Sequence, residues 1–143
     1  MNNIQARKLA STEIKTILEQ CGTLSGISLN NEKITSTNKV LFWRAGITNE
    51  IAFEKDTYII YTITSSDIAT IADNKTKTRD VMVALDIYTN KDLNTKSIVD
   101  LVSKIEDKLV EYGWDVIYEE EILDNSYNFF TIQCNSWISS WGN

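Results

Sequence analysis

Residues 58–90, YIIYTITSSDIATIADNKTKTRDVMVALDIYTN, decide the fold predicted for this chain. Residues 58–64 are rich in β-branched and aromatic side chains, which is typical of a strand. Residues 79–89 alternate between an apolar and a half-polar face, which indicates a second strand in a sheet covered on one side only. The polar residues 65–78 between them predict a loop too long for a tight hairpin. A long ordered loop often has a function, and contact with another protein is favoured here over chemistry.

Amphipathic helices are predicted on both sides of this segment. Residues 3–21 have apolar side chains at helical spacing and a capping asparagine, Asn2 or Asn3, and Gly22 would end the helix. Residues 94–112 carry a longer apolar stripe and end at a glycine. Further strands are predicted at residues 39–44, 114–123 and 127–138. We therefore expect a single domain over residues 1–143 with an α+β fold: a mainly antiparallel sheet of about four strands, with two helices packed on one face.

The composition narrows the possible functions. The 143 residues are 43% hydrophobic, which suits one globular domain. Apolar runs stay far below the roughly 20 residues of a membrane span, and the first residues lack a signal-peptide core. These features predict a soluble protein made in a cytoplasm, with no membrane contact. The formal net charge of −6 argues against clamping nucleic acid through phosphates.

Candidate chemistry is sparse. The chain has no histidine, which removes the commonest general base and most zinc sites. The two cysteines, Cys21 and Cys134, fit apolar patterns and are expected to be reduced core thiols. The run Glu119, Glu120, Glu121 suggests a metal or acid–base site, but successive strand residues point to opposite faces. A solvated strand end explains the run better. We therefore predict no catalytic, cofactor or metal site, and no enzyme.

Two regions of opposite charge suggest an interface. Lys75, Lys77 and Arg79 lie in or next to the predicted loop, where a solvated loop is the plain alternative. Residues 106–124 carry eight carboxylates against one lysine. A basic and an acidic patch on one chain suit a heterologous contact, in which a ring of copies can close. Trp141, in a tail without pattern, is a further candidate contact, with a disordered tail as its alternative.

Several segments resemble a known family. The strand YIIYTI, the loop sequence ADNK and the strand VALDIYTNKDL are followed by KSIVDLVSKIEDKLVEYGWDVIYEEE and NSYNFFTIQC. Their order and motifs are similar to those of the tailed-phage tail terminator or tail-completion (head–tail joining) proteins, over about residues 40–135. One departure is a Leu-Pro pair common before the first strand, where this chain has Asp56-Thr57.

The resemblance implies a structural role without enzymatic activity or cofactor. Such proteins form a homo-oligomeric ring, a hexamer, that caps the tail tube at its head-proximal end and meets the head connector. DNA passes through the ring without specific binding, and the protein is part of the virion tail after assembly in the host cytoplasm. Positions matching the motif are Asp73, Asn74, Lys75, Tyr88 and Thr89. Together, the candidate subunit or tail-tube contacts are Asp73, Asn74, Lys75, Lys77, Arg79, Glu119, Glu121 and Trp141.

Two other functions remain open at this point. One is a small-molecule-binding or regulatory α+β domain with its ligand between helix and sheet. The other, ranked last, is a metal-dependent enzyme using the carboxylates Glu119 and Glu121. Tail terminators and head–tail joining proteins of similar fold are not separated by these motifs.

Overall fold

Two helices and six strands make up the part of the chain that the computed structural model describes: residues 1–25, 40–45, 57–72, 75–90, 95–123 and 127–139. The helices are α1 (Asn3–Gln20) and α2 (Thr95–Glu111). The strands are β1 (Leu24–Ser25), β2 (Leu41–Arg44), β3 (Thr57–Ala72), β4 (Lys75–Asn90), β5 (Asp115–Leu123) and β6 (Tyr127–Ser139). They form one sheet in the order β1-β2-β3-β4-β6-β5.

The centre of the sheet is the long hairpin of β3 and β4. The two strands pair antiparallel from Thr57–Thr89 to Ala72–Lys75. Only residues 73–74 separate them, so the prediction of a long loop over residues 65–78 is wrong. Threonine and isoleucine are frequent between residues 62 and 78, and these β-branched side chains suit a strand as well as they suit a polar loop.

Bulges interrupt the alternating pattern that would have indicated strands over residues 65–78. The register of the hairpin shifts three times, which leaves Thr64, Ala69 and Lys77 as extra residues. Each bulge places two residues of one strand opposite one of the other, which interrupts the alternation of faces. Ile68 therefore falls out of phase with Ile59 and Ile63, and no continuous period of two is visible along β3.

The remaining strands extend this hairpin on both sides. β6 pairs antiparallel with β4, and β5 pairs antiparallel with β6. On the other side, β2 is parallel to β3 and β1 is parallel to β2. The predicted α+β class with a mainly antiparallel sheet is confirmed. The sheet has six strands rather than about four, because β3 and β4 are joined by β1 and β2 as well as by β6 and β5.

Both predicted helices are confirmed, together with the N-cap of α1 and the glycines that follow the two helices. The Asn2 side chain accepts a hydrogen bond of 2.8 Å from the Gln5 backbone N–H, and the Gln5 side chain accepts one of 2.9 Å from the Asn2 backbone N–H. This is a capping box, which satisfies two amides at the start of α1. Gly22 and Gly113 follow α1 and α2 with φ of 85°, a conformation that side chains disfavour, so glycine is suited to both positions.

The main core lies between the two helices and one face of the sheet. α1 and α2 contact each other, and both contribute to one cluster with the central strands. Trp114, predicted to be in the core, is buried and its Nε1 donates a hydrogen bond of 2.9 Å to the Glu13 carboxylate on α1. The fully buried helix and sheet residues include Ala10, Ile14, Leu18, Ile105, Leu109, Ile59, Val83, Leu85, Ile87 and Ile132.

The half-polar pattern of β4 predicted that the sheet is covered on one side only. The opposite face is nevertheless partly buried. At one end, Trp43 and Tyr58 are buried on that face, with ring centroids 6.3 Å apart. Tyr58 also stacks on Tyr88 across the β3–β4 pair at 4.9 Å. Aromatic pairs of this kind add stabilisation beyond the area they bury.

The two cysteines are free thiols. Cys134 is buried in the core as predicted, and burial raises the pKa of its thiol to about 12. Cys21 is only partly buried next to the core, so its predicted core position is confirmed only in part.

A substitution at Leu85 tests whether β4 lies at the centre of the core. Leu85→Ala leaves a cavity in the middle of the core, and we expect a loss of about 2–5 kcal/mol in the free energy of unfolding, measured by urea denaturation. The control is Ile68→Ala, at a side chain that is 55% exposed, for which we expect a change within about 0.5 kcal/mol. Equal losses for the two variants would contradict the core assigned here.

Candidate interaction surface

The outer half of the β3–β4 hairpin projects beyond β2 on one side, and its last residues, 75–77, project beyond β6 on the other. This part, called the hairpin arm here, consists of residues 65–72 of β3 and 75–82 of β4. β2 pairs with β3 only from Tyr58 to Tyr61, and β6 pairs with β4 only up to Thr78. The arm therefore extends past the part of the sheet in which β2, β3, β4 and β6 lie side by side.

Helix α1 holds the base and the end of the arm. The N-terminal ammonium of Met1 donates a hydrogen bond of 2.5 Å to the Thr76 carbonyl. The Arg7 guanidinium donates one of 2.8 Å to the Ile63 carbonyl, just below the arm. These contacts join α1 to both strands of the hairpin and fix the direction of the arm.

The three predicted cations lie on the β4 strand of the arm. Lys75 is exposed, while Lys77 and Arg79 are half-buried. The Arg79 guanidinium donates a hydrogen bond of 2.7 Å to the Ser66 carbonyl across the hairpin. Arg79 therefore stabilises the arm itself, and Lys75 is the exposed cation of the three.

Exposed apolar side chains accompany these cations. Ile68 and Ile71 on the arm are 55% and 63% exposed, and Trp137 on β6 is 70% exposed. Trp137 lies opposite Asp80, which in turn lies opposite Asp67 on β3. The Asn135 side-chain amide donates a hydrogen bond of 3.1 Å to Asp80. Large exposed apolar side chains near one end of a domain are a feature of contact surfaces.

Three predicted contact residues lie outside the described residues: Asp73, Asn74 and Trp141. The structure therefore places Lys75, Lys77 and Arg79 together on the arm, and Glu119 and Glu121 together on another strand.

The predicted acidic region forms one border of the sheet. β5 is the last strand in the sheet order, and we call it the acidic edge. Glu119 and Glu121 lie opposite the core-facing residues Ile132 and Phe130, and Glu120 lies opposite Thr131 on the other face. The three carboxylates thus do not converge on one point, as expected from strand geometry. All three are exposed.

Glu119 meets a carboxylate from helix α2. Burial, a hydrogen bond with Glu119 and the negative charges of Glu119 and Asp107 together raise the pKa of Glu106 to about 7. Two carboxyl groups in contact favour sharing one proton. On the outer face, the Tyr118 hydroxyl donates a short hydrogen bond to the Glu120 carboxylate, which raises the pKa of Tyr118.

The arm and the acidic edge lie far apart within one chain. Glu119 lies opposite Ile132 of β6, which lies opposite Leu85 of β4. Leu85 is ten residues after Lys75 along β4. At the rise of a β-strand, this separation is about 33 Å along the strands, with the further width of β6 between them. The sheet is paired continuously over this distance. The lysines of the arm and the glutamates of the edge therefore do not pair within one copy.

The described residues bring together no group of three or more Cys, Asp or Glu side chains that could hold a metal ion. Within the same ranges, neither helix has the length and apolar character needed to cross a membrane.

No family model and no curated sequence matches this chain.

Three features of this surface were missed at the level of sequence. These are the length of the hairpin, the exposure of Ile68 and Ile71 on it, and the contact between Glu106 and Glu119. The first had a signal: two residues, Asp73 and Asn74, between β-branched segments are typical of a hairpin turn. The Glu106–Glu119 contact joins α2 to β5, and no pattern within either element indicates it.

The Glu106 carboxyl group tests this contact. Because its pKa is raised in the folded protein, the folded state holds a proton that the unfolded state releases near pH 4.5, so this group's stabilisation falls as pH rises towards 7. Glu106→Gln should therefore gain stability relative to the native protein between pH 5 and pH 8. The group is only partly buried and solvent screens its charge, so we expect a gain on the order of 0.5–1 kcal/mol by urea denaturation.

A matched control is Glu121→Gln, which removes the same charge from an exposed position on β5. We expect its effect on the free energy of unfolding to change little over this pH range. If Glu106→Gln has no more pH dependence than Glu121→Gln, the proton-sharing contact is wrong.

Proposed function

We propose that this protein is a structural assembly protein of a tailed phage, which forms a ring at the head-proximal end of the tail tube and joins the tube to the head connector. The observation that carries the proposal is the placement of a basic arm and an acidic edge on one rigid sheet, too far apart to meet within a chain. Contact between them requires a second copy.

Charge and topology support a head-to-tail arrangement. A contact between two different patches is heterologous, and repeating it closes a ring when the rotation between neighbours divides a full turn. Opposite charges on the two patches also select the orientation and disfavour contacts between identical patches. The resemblance to tail terminator and head–tail joining proteins, over about residues 40–135, supports the same reading and suggests six copies.

The charge balance fits passage of DNA. With a net charge of −6 and its arm lysines engaged by neighbouring copies, the protein offers few cations to phosphates. A ring of this kind lets DNA pass without holding it. In this proposal the protein is not an enzyme, and its location is the virion tail, after assembly in the host cytoplasm.

The direct test is assembly on tail tubes. Purified protein should form rings whose population rises with concentration, seen by analytical ultracentrifugation and negative-stain microscopy, and it should bind one end of isolated tail tubes. Binding to the tube is decisive, because a ring of weak contacts can close on the tube alone. A protein that neither associates nor binds tail tubes contradicts the proposal.

The arm lysines provide the charge test. Lys75→Glu together with Lys77→Glu should weaken ring formation about tenfold or more at low ionic strength, and the difference from the native protein should shrink at about 0.5 M salt. Sedimentation velocity over a concentration series measures this.

The control is Lys8→Glu together with Lys15→Glu, which makes the same charge change at exposed positions on α1. Unchanged association in the arm variant at every salt concentration, or an equal loss in the control, contradicts a role for the arm.

A further inference from the structure

Apart from the short open edges of β1 and of the end of β6, two strand edges lack a strand partner among the described residues. One is the outer side of β5, which pairs only with β6. The other is the outer side of β3 within the hairpin arm, residues 65–72, because β2 pairs with β3 no further than Tyr61. Within this edge the Ser66 carbonyl accepts a hydrogen bond from the Arg79 guanidinium. An edge of this length presents a row of backbone donors and acceptors.

The two edges are complementary in position and direction. They lie on opposite borders of the sheet, and β5 runs antiparallel to β3, since β3, β4, β6 and β5 alternate in direction. They are also offset along the strands. Through β6, β5 lies level with residues Met82 to Thr89 of β4, whereas the arm lies level with residues Lys75 to Met82. The two edges are thus similar in length and lie at opposite ends of the strands.

We propose that β5 is the docking strand for the hairpin arm of a second copy, whose β3 edge adds antiparallel to β5 and continues the sheet from one copy to the next. This rests on the proposed ring function, and it names the partner segment and the mode of contact. Backbone hydrogen bonds supply the pairing, as in strand addition to an exposed sheet edge.

The offset keeps the described strands β1 and β2 of the second copy away from β5. For the arm to reach β5, the second copy shifts along the strand direction by about seven residues, or roughly 23 Å. β2 and β1 of that copy pair near the base of its hairpin, so the shift places them beyond the end of β5. A constant shift between neighbours is the stagger that allows a sheet to close into a barrel or ring.

Apolar side chains on both edges favour this pairing. Ile68 and Ile71 on the arm and Ile117 and Tyr118 on β5 are exposed in the single copy, and the contact would cover them. The arm cations lie on β4, behind the pairing strand, so they would be two strand spacings, roughly 10 Å, from the β5 carboxylates. Pairing of β5 with another β5 would instead set glutamates against glutamates, which is destabilising.

Charge exchange between the two edges tests the pairing. The edge variant carries Glu119→Lys and Glu121→Lys, and the arm variant carries Lys75→Glu and Lys77→Glu. Each alone should raise the dissociation constant of self-association about tenfold or more. An equimolar mixture should associate again, because every arm then meets an edge of opposite charge in an alternating ring. The control for the edge variant is Glu19→Lys with Asp100→Lys, at exposed helical positions.

Hydrogen exchange tests the backbone pairing in the native protein, independently of any variant. On assembly, amide exchange should slow about tenfold or more in residues 115–123 and 65–72, and change little on the exposed face of α1. Rings or tube-bound protein with unchanged exchange in both segments would overturn the docking strand and leave the proposed function intact. The same holds if the mixed variants do not associate while the native protein does. Failure of the native protein to associate or to bind tubes overturns both proposals.

Discussion

The register of the β3–β4 hairpin is the constraint on which the rest of the structure depends. Each strand has 16 residues, and the two pair from Thr57–Thr89 to Ala72–Lys75. β2 pairs with β3, β6 pairs with β4, and both helices pack on the face that carries Ile59, Val83 and Leu85. Because side chains alternate between faces, a slip of one residue would move this apolar set away from the helices. The strong core preference of the lower half therefore fixes the register of the whole hairpin.

The bulges separate the hairpin into two parts with different roles. Below Thr64, the alternation is regular and the inward residues fill the core. Beyond it, shifts at Ala69 and Lys77 disrupt the alternation, and the side chains of Ile68 and Ile71 remain exposed. Bulges also increase the local twist of the strands. An arm that contributes little to the core keeps its apolar and basic side chains available for a second molecule.

The stagger of the strands gives the sheet two unequal borders. β2 covers only the base of β3, and β5 ends the sheet at the base of β6, so the open edge of the arm and the outer edge of β5 lie at diagonally opposite corners. Negative charge is concentrated on one corner and the arm lysines on the other. The Glu106–Glu119 contact adds a group that titrates near neutral pH at the acidic corner. In the proposed ring, these corners meet, and the same geometry that leaves them open sets the step from one copy to the next.

The sequence by itself determined the elements whose periodicity is uninterrupted. The stripe of α2, the capping residues of α1, the core face of β4 from Val81 to Ile87, and the strands β5 and β6 were all predicted close to their observed bounds. These patterns depend on neighbours within one element, and burial of one face imposes them directly. The sign and location of the charged regions were likewise readable from composition.

Only the tertiary structure decided the length of the hairpin, strand β1, the parallel pairing of β2, and the distance between Lys75 and Glu119. The hairpin was not recognised because three bulges remove the period of two that marks a strand. β1 is too short for a periodic signal, and β2 was predicted as a strand at residues 39–44 without its pairing. The separation of the charges depends on the order and register of the strands, which are set by pairing between residues far apart in the chain. For this reason the sequence indicated a basic and an acidic region, whereas the fold showed that they cannot meet within one copy.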